Sequence, residues 1–184
     1  MSTPSTAWLP STEVQPRLRR WIAASPAIYL IHDLEELATV RAWVADNWQS
    51  VPQPIAAWLG ADTDLTHLYA TGIAMIFVAM AAIAVSAARP TAGRAIVTIF
   101  ALTVMMRFGN GLLHIVEAVY TRAYVPGLVT AIVLLLPYSA WLVVRLRRDA
   151  LVRHEAVHAL FLAGLLLQIP VIAIVLLMAS LLTR

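Results

Sequence analysis

Apolar residues come in long unbroken blocks rather than in the alternation of strands or the stripes of soluble helices. Leu68 to Ala88, Val125 to Val144 and Ala159 to Thr183 contain no Asp, Glu, Lys, Arg or His. Each approaches the roughly 20 residues that a helix needs to cross a bilayer. Two further blocks are interrupted: Trp21 to Val44 carries His32, Asp33, Glu35 and Glu36, and Ile96 to Tyr120 carries Arg107, Asn110, His114 and Glu117. Both remain long enough to span, and ionisable groups at such depth face a bundle interior or a wet cavity. The pattern predicts an all-α fold, a polytopic transmembrane bundle of five helices, with residues 1–20 as a polar tail and 21–184 as a single transmembrane domain.

Prolines refine this picture. Pro26, Pro137 and Pro170 fall inside blocks and predict kinks. Pro52 and Pro54 break the long polar connection from Asp46 to Asp64, where residues 54–60, PIAAWLG, read as a short interfacial helix over the outer mouth. Pro126 suits the first turn of the fourth helix, after a tight turn that lays helices three and four antiparallel.

Composition removes whole classes of protein. With 61% hydrophobic and 12% charged residues, against about 45–50% and about 25% in soluble domains, a water-soluble globule is excluded. Cysteine is absent, so disulfides, thiolate metal sites and cysteine nucleophiles are too. All basic residues are arginines, and they separate the apolar blocks instead of lining one face, which argues against nucleic acid as a partner. With the N-terminus inside, nine of them are cytoplasmic (Arg17, Arg19, Arg20, Arg89, Arg94, Arg145, Arg147, Arg148 and Arg153) and three outside (Arg41, Arg122 and Arg184). Trp21 and Trp141 then fall at inner helix ends, and Trp43, Trp48 and Trp58 at the outer side, where amphipathic rings prefer the interface. The tail up to Pro16 lacks the basic start of a secretion signal, and no small-residue cleavage site follows.

The interruptions carry the chemistry. At about 100° per residue, His32, Glu35 and Glu36 share an arc of roughly 100° on the first helix, with Asp33 pointing elsewhere; Arg107, Asn110, His114 and Glu117 share about 80° on the third. Leaving such groups unpaired in hydrocarbon costs at least about 2.5 kcal/mol each, so the two faces are expected to meet. Imidazole and carboxylate at i,i+3 and i,i+4 aim donors at one point, as a divalent metal requires. The expected ligands are His32, Glu36 and His114, with Glu35 or Glu117 as a further ligand or general base. Arg107, Asn110 and Tyr124 are the candidate substrate contacts. The donor set admits one zinc with an open position, favoured here over iron or manganese, or two redox metals bridged by carboxylate. Other assignments are bland. His67 is an interfacial histidine, His154 and His158 form a solvated helix start, Tyr124 sits in a structural turn, and Tyr29 either hydrogen-bonds the site or packs beside it.

HDLEE in the first block, with NGLLH and YVPG further on, resembles the HXXEE-domain family of bacterial multipass membrane proteins over roughly residues 25 to 145. The resemblance implies His32, Glu35, Glu36, Asn110, His114, Tyr124, Pro126 and Gly127 as family residues and a bacterial inner membrane as location. It implies no reaction. The leading expectation is a metal-dependent membrane enzyme acting on an amphipathic or lipid-like substrate, a hydrolase in first place. The alternatives are a di-metal redox enzyme, a proton or metal transporter, and a non-catalytic subunit locked by buried ion pairs.

Overall fold

A computed structural model describes residues 14–50, 53, 57–58 and 64–183. The expected helix at residues 54–60 lies, but for residues 57 and 58, outside the described residues. Five long helices account for the fold: α1 (Pro16–Asn47), α2 (Leu65–Ala87), α3 (Arg94–Thr121), α4 (Leu128–Arg148) and α5 (His154–Thr183). A short 3-10 turn, Trp48–Ser50, follows α1. The last four helices are long and apolar enough to cross a membrane, which makes this a membrane protein. At 32 residues α1 is long enough as well, but its charged turns keep its mean hydropathy low.

Local chemistry sets the helix ends. Pro16 starts α1, where its missing N–H wastes no hydrogen bond. Asp64 caps α2, its Oδ1 accepting from the N–H groups of Thr66 and His67 at 3.0 and 3.1 Å. α3 ends at Arg122, left-handed at φ 54°, whose N–H donates to the Ala118 carbonyl. The tight turn expected after Tyr120 follows. α4 begins two residues later than expected: Pro126 precedes the helix, and Gly127 at φ 81° forms its cap, because a left-handed residue cannot lie within the first α-helical turn. Pro26 and Pro170 lie within α1 and α5. Pro137 is accommodated by a π-helical turn, Ala131–Leu135, in which the Leu136 N–H reaches back to the Ala131 carbonyl.

Side-chain contacts fix the arrangement. Arg19 Nε donates to the Ala88 carbonyl at 2.6 Å, and the Tyr138 hydroxyl to the Trp21 carbonyl at 2.5 Å. The start of α1 therefore meets the end of α2 and the second half of α4. Trp21 and Trp141, expected at one membrane face, touch edge to face with ring centroids 5.2 Å apart. The nine arginines expected on one side follow helix starts and ends to this same end. Close approach of α3 and α5 depends on Gly164, where a Cβ would stand 2.9 Å from the Met106 backbone nitrogen. Below the charged turns, Ile22, Phe100, Val104, Leu135 and Leu142 fill the core.

Candidate metal centre

α1 and α3 run parallel, so polar residues four apart on each meet in register. Glu36 Oε1 lies 3.3 Å from His32 Nε2 and 2.9 Å from His114 Nε2. The two imidazoles stand edge to face, centroids 5.0 Å apart. Ligand atoms of His32, Glu36 and His114 all lie within 4.8 Å of one another. The three expected ligands are thus brought together.

Hydrogen bonding orients His32, which is fully buried. Its Nδ1 lies 2.9 Å from Thr130 Oγ1, and that hydroxyl also sits 2.5 Å from Glu35 Oε2. Glu35 further accepts from the Thr130 N–H at 2.7 Å, the Val129 N–H at 3.1 Å and the Tyr124 hydroxyl at 2.7 Å. A carboxylate with four donors is ionised and only accepts. The single Thr130 proton therefore goes to Glu35, and His32 Nδ1 must donate to Thr130. His32 Nε2 is left facing a carboxylate oxygen 3.3 Å away. Imidazole nitrogen and carboxylate oxygen are the donor types a divalent metal takes, and here they are aimed at one place, so the residues present fit such an ion.

Glu35 thus anchors the first turn of α4, where helix N–H groups lack internal partners. Tyr124 contacts Glu35 rather than the cavity, and burial together with that carboxylate raises its phenol above its ordinary value. Gly127 closes this side of the site. A Cβ there would lie 2.8 Å from both Glu36 Cγ and His32 Cε1.

Half a turn away, Asp33 takes both amino groups of Arg107, at 2.6 and 3.0 Å. Arg107 Nε meets Met80 Sδ at 3.3 Å, and the guanidinium lies 5.5 Å from the Tyr29 ring centroid. Asp33 turns from the metal ligands as the helical wheel predicts, but towards Arg107, a partner the wheel of one helix does not supply. Tyr29 packs beside the site: it is buried against Tyr138, rings 5.9 Å apart.

A cavity of about 290 Å³ opens onto the ligands. Ile73 and Ile76 of α2, Val40 of α1 and Ile172, Val175 and Leu176 of α5 give it apolar walls, while Arg107, Asn110, His114 and Glu117 line its polar side. Glu117 is exposed, and its side chain makes no ion pair or hydrogen bond among the described residues. His67 is exposed and does not line the cavity.

A family model described as a protein of unknown function with HXXEE motif matches residues 23–142. The chain belongs to this HXXEE family. No curated protein and no solved structure matches it. In this member the motif reads His32-Asp33-Leu34-Glu35-Glu36, and its residues divide their work: His32 and Glu36 face the candidate metal position, whereas Glu35 holds α4. Sequence reasoning missed two further participants. Thr130 is one hydroxyl in an apolar block, and Gln168, the polar residue midway along α5, donates to Asn110 Oδ1 from a fully apolar stretch. An uncharged polar residue flanked by apolar neighbours in each span was the available signal.

Proposed function

We propose that this HXXEE protein is a metal-dependent membrane hydrolase acting on an ester or amide of an apolar chain. The reading rests on one observation: three donors of the kind a divalent metal takes, His32 Nε2, Glu36 Oε1 and His114 Nε2, converge where an apolar-walled cavity ends. Three donors suit zinc with a position left open. Such an ion, when bound, lowers the pKa of water and polarises a carbonyl. The chain supplies the rest. Thr130 and Glu35 hold the His32 ring, the walls take the apolar chain, and Glu117, one turn beyond His114, is the carboxylate free to accept a proton.

Two alternatives lose support. A di-metal centre needs more bridging carboxylates, but Glu35 is saturated by α4, and Glu117 stands outside the ligand group. A transport path would have to pass the Asp33–Arg107 pair and the packed side chains of Phe100 and Val104. The positive-inside rule supports reading the arginine-rich end as cytoplasmic, and on that reading the site lies in the outer half of a bacterial inner membrane.

Metal analysis of detergent-purified protein tests the proposal. Stoichiometric zinc, with hydrolysis of a long-chain ester or amide that Glu117→Gln slows by about 10²- to 10⁴-fold, is the expected result. Iron or manganese would favour redox chemistry, and absence of any metal would leave a structural role.

A further inference from the structure

Four polar atoms, not three, face one another at the end of the cavity. The Asn110 amide nitrogen lies 3.2 Å from His32 Nε2 and 3.0 Å from His114 Nε2. Glu36 Oε1 lies 3.3 and 2.9 Å from the same two nitrogens. Together they form a closed ring. Donors bound to one ion at about 2.1 Å stand about 3.0 Å apart at right angles and about 3.4 Å apart at tetrahedral angles. All four edges lie in or just below that range.

Each of the four side chains can turn a lone pair towards the centre of the ring, where a cation would be drawn to all of them at once. Asn110 needs only a half-turn of its amide, since the oxygen and nitrogen occupy nearly equivalent positions. Its neighbour permits this. Gln168, 5% exposed, meets Asn110 amide to amide, so both can turn together and keep their mutual hydrogen bond with the roles exchanged.

We infer that Asn110 is a fourth protein ligand, binding through Oδ1 after this half-turn; the inference rests on the metal reading proposed above. Two imidazoles, one amide and one carboxylate leave a divalent ion with one net positive charge. An open position then requires an ion that takes five or six ligands. Zinc expands to five, and manganese favours six with oxygen donors.

The test uses the full chain in detergent, titrated with Zn²⁺ and Mn²⁺, with Co²⁺ as the spectroscopic probe. Asn110→Asp keeps an oxygen donor but has no N–H, whereas Asn110→Leu has neither. Asn110→Leu is expected to weaken metal binding at least about tenfold and to intensify the visible absorption of bound Co²⁺ as the coordination number falls. Asn110→Asp should bind at least as tightly as wild type and keep the wild-type spectrum. Unchanged affinity and spectrum in Asn110→Leu overturn the inference, as does an Asn110→Asp protein as defective as Asn110→Leu, which would make the amide a hydrogen-bond donor only. If Asn110→Leu does not fold, the wild-type spectrum decides, since an intense four-coordinate Co²⁺ band is incompatible with four protein ligands and an open position. Wild-type protein that binds none of the three ions would instead remove the underlying metal reading.

Discussion

Asp33 and Glu36 leave neighbouring turns of α1 towards the same stretch of α3, yet they enter opposite kinds of environment. Asp33 meets a guanidinium whose fork matches both of its oxygens at 2.6 and 3.0 Å, and the pair is complete within the protein. Glu36 meets two imidazole nitrogens, donors that a divalent ion also takes. One cluster closes on itself, and the other is the one to which the function proposed above assigns a cation. A buried carboxylate inside a membrane is therefore not in itself a sign of chemistry; the kind of partner it meets decides.

The widest separation between the two clusters should come from removing ligands. His32→Ala, Glu36→Ala or His114→Ala should each weaken metal binding by more than about 100-fold, beyond the range typical of outer partners, while Asp33→Asn keeps the metal. Element analysis of the purified variants checks this, and metal loss in Asp33→Asn would merge the two clusters into one. Stability should respond the other way. Asp33→Ala leaves Arg107, largely covered, without its counter-ion and should cost about 3–5 kcal/mol in thermal unfolding, whereas replacing both, Asp33→Leu with Arg107→Met, should recover most of that loss.

Smaller effects sharpen the contrast. Gly127→Ala combines a left-handed backbone, about 1–2 kcal/mol for an ordinary residue, with a Cβ driven against His32 and Glu36. It should lower both stability and metal affinity, which titration and unfolding of one preparation would report together. Thr130→Val removes the acceptor for His32 Nδ1 and should weaken metal binding by about tenfold, with Thr130→Ser restoring it. A Thr130→Val protein with undiminished affinity would show that the His32 tautomer is fixed by something other than this hydroxyl.

How much of this was legible in the sequence follows from what a helical wheel contains. Hydrophobic blocks located all five helices, and the stripes on α1 and α3 identified His32, Glu36 and His114 as neighbours because depth and facing direction are properties of each helix alone. Partner choice between helices is not. Arg107 had several carboxylates within reach on the wheel, and its pairing with Asp33 depends on the relative rotation of α1 and α3, which packing around Tyr29 and Met80 sets. Glu35 shares the ligand stripe, but the position of the α4 N-terminus diverts it, and that position depends on the left-handed Gly127. Gln168 lies on a helix with no polar stripe, so nothing in its own segment ties it to Asn110.

The π-helical turn at Ala131–Leu135 has a consequence for how this chain can vary in length. It holds one residue more than an α-helix would over the same rise, and it lies directly after Thr130. Deleting a single residue there would let the segment close as ordinary α-helix with the parts on either side still in phase. The Thr130 hydroxyl would stay at His32, and the N–H groups of Val129 and Thr130 at Glu35. In a regular α-helical stretch a change of one residue in length swings the two parts by about 100° relative to each other; here the slack is stored in the turn, beside the support of the site.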